Sequence, residues 1–137
     1  MKSLKIFLSI IICAPIFLSC TDKINTQLLE KVESSDHDAR LYGWWQRIND
    51  ESSYRFFDSI DFKMFYGKRN EAGELEKEAK SLDYWYTEND SIMHIVREAT
   101  LLTGKSDFSF EYRISEDGNT FLEKSLGTFV PSMTRAR

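Results

Sequence analysis

The chain has 137 residues, of which 42% are hydrophobic and 14% aromatic, so it is too apolar for wholesale disorder and long enough for one domain. Its formal net charge is −4, and the only charged residues among the first nineteen are two lysines, so the remainder is more acidic still. This balance argues against nucleic acid as a partner, because nucleic-acid binding needs a basic face. Two cysteines, Cys13 and Cys20, are too few for a disulfide framework or a cysteine-rich zinc site.

Residues 1–19 have the composition of a signal peptide. Two lysines precede an apolar run over residues 6–18, which is short for a membrane span of ~20 residues and suits the apolar core of a signal peptide. The run ends at Ser19-Cys20, which resembles the bacterial lipobox. The resemblance implies cleavage before Cys20 and acylation of its thiol and of the new amino terminus. Two or three acyl chains would anchor the protein stably to a membrane.

Residues 20–38 follow as the predicted lipidated cysteine and tether. The residue after Cys20 is Thr21 and not Asp, so the inner-membrane retention signal of enteric bacteria is absent and the outer membrane is favoured. Whether the anchored domain faces the periplasm or the cell surface stays open. Four apolar residues recur at helical spacing and predict a short helix in the tether: Ile24, Leu28, Leu29 and Val32.

Residues 39–137 are predicted to form one all-β domain, because aromatic residues alternate with period two and turn signals recur at short intervals. Most connections are of hairpin length. That favours a closed, antiparallel, up-and-down barrel of eight strands over a sandwich, which needs crossovers. We expect the charged residues of the longer connection 68–80 to form a solvated loop. The predicted strands are 41–48, 53–58, 61–67, 81–87, 91–98, 107–115, 119–125 and 128–135.

The span 41–135 also resembles a known family. Gly43-Trp44-Trp45 on the first strand and Arg135 on the last resemble the lipocalin signature, and the repeated pattern of aromatic strand, Asp/Gly turn and aromatic strand resembles the lipocalin-like domains of Bacteroides-type lipoproteins. The resemblance implies that Gly43, Trp45 and Arg135 close one end of the barrel. Arg135 would then pack on the Trp45 ring in a cation–π contact worth about 0.5–2 kcal/mol.

The lumen of such a barrel is either filled by side chains or open to one small ligand. The alternation places a bulky set of residues inward, and its polar members are candidate ligand-binding residues because buried hydroxyl and imidazole groups need partners. Those candidates are Tyr66, Tyr84, His94 and Tyr112. The full inward set is Tyr54, Phe56, Phe62, Met64, Tyr66, Tyr84, Tyr86, Ile92, His94, Val96, Phe108, Phe110, Tyr112, Ile114, Phe129 and Met133.

Arg47 shares the Trp45 face and is a further candidate. If Arg47 points inward, its charge must be paired or must bind an anion. If the strand bulges after Trp45, Ile48 turns inward instead and Arg47 is an ordinary solvated residue. The sequence leaves both alternatives open.

Recognisable catalytic and metal-binding motifs are absent from the sequence, and we expect neither an enzyme nor a metal or other cofactor. The expected function is a membrane-anchored barrel, monomeric, that binds a small amphipathic ligand. The alternative is a filled barrel that serves as an interaction or structural module of the envelope and displays outward aromatic residues to a partner. A third hypothesis is an enzyme inhibitor acting through the 68–80 loop. The outward residues expected for the second are Trp44, Phe57, Phe65 and Trp85.

Overall fold

The structure is a computed structural model that describes residues 27, 29–78, 83–97 and 106–137. The chain divides into two compact units, Met1–Lys31 and Val32–Arg137. In the first unit residues 27 and 29–31 are helical, whereas the predicted signal peptide and Cys20 lie outside the described residues. The second unit begins with helical residues 32–34 and contains all nine strands described below.

Short antiparallel strands make up almost all of the second unit, as the period-two alternation predicts. A short 3-10 helix, Ala39–Leu41, precedes the first strand. The strands are β1 (Gly43–Arg47), β2 (Tyr54–Phe57), β3 (Lys63–Arg69), β4 (Leu75–Lys77), β5 (Asp83–Glu88), β6 (Ile92–Arg97), β7 (Ser106–Ile114), β8 (Thr120–Ser125) and β9 (Thr128–Arg135).

Eight of these strands form a closed ring. Each strand pairs antiparallel with its neighbour in the order β1-β2-β3-β5-β6-β7-β8-β9, and β9 pairs back onto β1. The predicted all-β, eight-stranded up-and-down barrel is therefore confirmed, and its architecture is lipocalin-like. We call the end where β1 begins and β9 ends the closed end, and the opposite end the open end.

Strand β4 is an addition that the sequence analysis did not predict. It lies within the stretch expected to be a solvated loop, and it pairs with the last residues of β3. The pairing places Glu76 opposite Lys68, and Lys77 Nζ lies 4.0 Å from the centroid of the Phe56 ring. Opposite charges across a strand pair and a cation over an aromatic face both favour the ordered hairpin.

Two strands have the opposite face inward from the one predicted. Trp85 and Ile95 are opposite each other and belong to the buried core, so their neighbours Tyr84, His94 and Val96 lie on the outer wall. Both faces of these strands carry large apolar or aromatic residues. The alternation therefore predicts that a strand is present but not which of its faces points inward, and a shift of one residue exchanges the two faces. Tyr86 and Ile92 lie on the outer wall for the same reason.

The same correction applies to β2 and to part of β9. Phe57 is 2% exposed and belongs to the core, whereas Tyr54 and Phe56 lie on the outer wall. Phe129 is also on the outer wall, where the Arg113 guanidinium covers its ring at 3.9 Å. The inward phase was predicted correctly on β3 and β7 and at Met133. From those positions Met64, Tyr112 and Met133 belong to the core, and three partly buried residues pack against it: Tyr66, Phe110 and Ile114.

At the closed end, neighbouring residues pack around Trp45 and hydrogen-bond to it. The Trp45 side chain is fully buried, its Nε1 donates to the Leu41 carbonyl at 2.8 Å, and the Arg135 guanidinium carbon lies 4.1 Å from the ring centroid. The predicted contact between Trp45 and Arg135 is thus present. Gly43 has a φ of +104°, a conformation that side chains disfavour, which explains the glycine at this position.

Candidate functional site

The exposure of lumen-facing side chains rises from the closed end to the open end. Trp45, Trp85 and Met93 are fully buried. Phe108 lies opposite Ile95 and Val130 lies opposite Glu123, which places both on the lumen side of β7 and β9, yet they are 49% and 47% exposed. Solvent therefore reaches the lumen wall at the open end. The candidate site is the lumen at this end.

A buried carboxylate lies on one side of the open end. The Asp83 side chain is 4% exposed, and its two oxygens accept hydrogen bonds from the Tyr66 hydroxyl at 3.2 Å and from Arg97 Nε at 3.1 Å. The Arg97 side chain is 55% exposed, and the Asp83 carboxylate raises the pKa of its guanidinium. These three side chains belong to three different strands, so they tie β3, β5 and β6 together at the mouth of the barrel.

Arg55 lies on the neighbouring strand and packs on the same tyrosine. Its guanidinium carbon is 4.0 Å from the centroid of the Tyr66 ring, and its Nη1 donates to Ser53 Oγ at 3.0 Å and to the Tyr54 carbonyl at 2.8 Å. Burial is the largest cause and lowers the pKa of Arg55; the Arg47 charge also lowers it, whereas Tyr66, Glu78 and Asp83 raise it. Arg55 therefore lies among charges of both signs.

Arg47 faces the lumen. It pairs with Met133, a core residue that is 7% exposed, whereas Ile48 is 42% exposed. The alternative in which Ile48 turns inward is therefore wrong. On adjacent strands Arg47 and Arg55 are diagonal neighbours on one face, about 7–8 Å apart at the backbone and within reach of long side chains. The Arg47 guanidinium has no hydrogen bond or ion pair to any residue that the structure describes.

Two of the five predicted ligand-binding residues, Tyr66 and Arg47, belong to the open end. Tyr112 faces the lumen but lies at the closed end, where its hydroxyl donates to buried Asp38 at 2.7 Å. Tyr84 and His94 lie on the outer wall, and the expectation that they line the lumen is wrong. There the His94 ring stacks on Tyr86 at 4.4 Å between centroids, and its Nε2 lies 3.2 Å from Glu88 Oε2.

The analysis of the sequence missed Arg55, Asp83 and Arg97 as site residues. All three lie on strands whose inward face was predicted wrongly. A signal was available in the alternation of the strands. Asp83 lies two residues before Trp85, and Arg97 lies two residues after Ile95, so each charged residue shares a face with its apolar neighbour. Placing Trp85 and Ile95 inward would have brought the charged pair to the mouth of the lumen.

In the described part of the chain, no group of three His, Cys, Asp or Glu side chains could hold a metal ion. No helix within the described ranges is long and apolar enough to cross a bilayer. Comparisons with protein-family models, with curated proteins and with solved structures gave no match.

Proposed function

We propose that this chain is a lipid-anchored envelope protein whose lipocalin-like barrel binds a small amphipathic ligand and catalyses no reaction. The observation that carries the proposal is the contrast between the two ends of the lumen. Trp45, Trp85 and Met93 are fully buried, whereas Phe108 and Val130 at the open end keep about half of their surface in contact with solvent. An eight-stranded barrel of this kind can hold one small ligand.

Binding is tested by titrating residues 21–137 with the fluorescent probe N-phenyl-1-naphthylamine. We expect saturable binding that Phe108→Ser weakens about ten-fold, because burying an aromatic side chain contributes roughly 1.5–3 kcal/mol and serine supplies little of it. Phe129→Ser is the matched control, since Phe129 lies on the outer wall beneath Arg113. The absence of saturable binding, or equal effects of the two variants, would contradict ligand binding in the lumen.

The anchor is proposed at Cys20, from the lipobox resemblance of the preceding residues. We expect wild-type cells to incorporate labelled palmitate into the protein, the Cys20→Ala variant to incorporate none, and the protein to fractionate with the outer membrane. Cys13→Ala is the matched control, because Cys13 lies within the apolar run that cleavage would remove. Palmitate labelling that persists in Cys20→Ala would place the anchor elsewhere.

The second hypothesis, an interaction module that displays outward aromatic residues, has less support. Of the four residues expected on the outer wall, Phe57 and Trp85 are in the core at 2% and 0% exposure. Trp44 is half-buried and its ring packs over Gly67 and beside Phe56. Two of the four residues on which the alternative depends are therefore not available to a partner, and a third is partly covered.

A further inference from the structure

The residues just before β1 are held against the closed end of the barrel. We call residues 36–41 the closing segment. At its start the Asp36 carbonyl accepts a hydrogen bond from Thr87 N at 2.8 Å, and Asp38 N donates to Thr87 Oγ1 at 3.0 Å. At its end Leu41 is fully buried. The closing segment is therefore fixed to the barrel on both sides of its second residue.

That residue is His37, whose ring packs between two aromatic side chains. It stacks on Phe62 with 3.5 Å between centroids and 15° between planes, and it meets the edge of Trp85 at 5.2 Å. Phe62 has a φ of +54°, a conformation that is unfavourable for a bulky side chain. Such a conformation persists only where the surrounding contacts compensate for it, so the stack on His37 belongs to a tightly determined part of the closed end.

The His37 Nε2 atom is buried and has no hydrogen-bond partner among the described residues. Whichever nitrogen carries the hydrogen in the neutral ring, both nitrogens carry one in the imidazolium. Protonation would thus leave a cationic N–H buried at Nε2 without an acceptor in the described part of the chain, which costs more than burying the neutral ring. Burial accordingly lowers the pKa of His37, although the Trp85 and Ser35 backbone and the Asp36 charge raise it by smaller amounts.

The carboxylates around His37 do not pair with it in the described structure. On its own segment Asp36 attracts an imidazolium through space, whereas the Asp38 carboxylate accepts hydrogen bonds from Arg40 and Tyr112. The elements packed against the ring are β5 and the turn that leads from β2 into β3. Their charged residues are exposed or interact elsewhere: Asp83, paired with Arg97; Glu88, beside His94; Asp58, which accepts from Asp61 N; Asp61, which is exposed; and Lys63, over the Tyr84 ring.

We propose that the closing segment is a pH-sensitive closure, which packs on Phe62 and Trp85 while His37 is neutral and detaches from the closed end when His37 is protonated. Detachment would let water solvate the imidazolium. Because the pKa is depressed in the closed form, the closed form is fully favoured above the ordinary value of about 6.5 and loses stability as pH falls below it. This inference concerns the closed end and does not depend on ligand binding at the open end.

The test is hydrogen–deuterium exchange of the purified full chain at pH 7.5 and pH 5.5, with rates corrected for the intrinsic effect of pH. The reporting amides are Leu41 N, which donates to the Asp38 carbonyl, and Thr87 N, which donates to the Asp36 carbonyl. One pH unit below the ordinary pKa, protonation favours the detached form by about ten-fold at most, so we expect the opening equilibrium at these amides to rise about three- to ten-fold. Amides of β7, β8 and β9 should change less than about two-fold.

The two histidines of the chain provide matched variants, because histidine is the side chain whose ordinary pKa lies in this pH range. His37→Phe keeps a ring that does not titrate, and we expect it to abolish the pH response. His94→Phe, on the outer wall, should retain the wild-type response. A response that survives in His37→Phe, is lost in His94→Phe, is absent from the wild type or is equal in all strands would overturn the proposal. If His37→Phe does not fold, the imidazole resonances of wild-type His37 decide, and a titration midpoint at or above 6.5 would overturn it.

Discussion

Replacing Tyr112 by phenylalanine removes one hydrogen bond at the closed end and leaves the ring in place. The Tyr112 hydroxyl donates to Asp38 Oδ2 at 2.7 Å, and these residues are 1% and 4% exposed. The ring stacks on Phe121 with 5.4 Å between centroids, a contact that phenylalanine retains. A hydrogen bond to a charged group contributes about 1.5–3 kcal/mol, so we expect Tyr112→Phe to lower the free energy of unfolding by about 2 kcal/mol.

Urea unfolding followed by tryptophan fluorescence measures this change. With a denaturant dependence of about 2 kcal/mol per M, the midpoint should fall by about 1 M. Tyr42→Phe is the control, because the Tyr42 side chain also packs against the core but its hydroxyl bonds to no residue that the structure describes. We expect the control to change the free energy of unfolding by less than about 0.5 kcal/mol.

The effect should also depend on pH. Burial raises the pKa of the Asp38 carboxyl, but hydrogen bonds from Arg40 and Tyr112 lower it by more, so the pKa lies below its ordinary value. A depressed pKa in the folded state means that the stabilisation is complete above the unfolded value of about 3.9 and is lost as pH falls through the folded value. The difference between wild type and Tyr112→Phe should therefore shrink below about pH 4. A difference that is absent at pH 7, or is unchanged at pH 3, would refute the assignment of a charged hydrogen bond.

Four further substitutions test the packing of the barrel by the same urea assay. Trp45→Ala should cost about 3–5 kcal/mol because the ring is fully buried, and Trp44→Ala should cost less because that ring is partly exposed. Gly67→Ala should cost about 1–3 kcal/mol, since a Cβ there would lie 2.2 Å from Trp44 Cζ3, and the loss should be smaller in the Trp44→Ala background. Arg135→Ala should cost about 1 kcal/mol through its contact with Trp45. Additive effects of Gly67→Ala and Trp44→Ala, or equal and small effects of Trp44→Ala, Trp45→Ala and Arg135→Ala, would contradict this packing.

Strand positions could be predicted from the sequence because the turns carry strong signals. Asn89 and Asp90 both adopt positive φ between β5 and β6, and Gly118 and Gly127 do so in the two later hairpins. These residue types tolerate that conformation, so the turns mark the strand ends to within a few residues. The hairpin that contains β4 lacked an apolar alternation, because its pairing depends on charges and on Lys77 over an aromatic ring.

The inward face was less predictable than the strands themselves. On β3, Met64 and Tyr66 alternate with residues that the prediction placed outside, and the phase was right. On β5, Tyr84-Trp85-Tyr86 places three aromatic residues in succession, so periodicity supplies no phase. The identity of the inner residue is decided by the pairing of Trp85 with Ile95 across the strands, which local sequence does not encode. The prediction of site residues depended on which face of each strand points inward, which is why it included Arg47 and missed Arg55.

The arginines at the two ends of the lumen differ in the partners of their side chains. At the closed end Arg135 donates from Nη1 to the Tyr42 carbonyl at 2.6 Å and from Nη2 to the Arg40 carbonyl while it covers Trp45, so its donors are engaged by the fold. At the open end Arg47 has no such partner within the described residues. Arg135→Gln should therefore lower the free energy of unfolding by about 1–3 kcal/mol, whereas Arg47→Gln should change it by less than about 0.5 kcal/mol. Urea unfolding of both variants would decide the matter, because an equal loss of stability in Arg47→Gln would make that arginine structural as well.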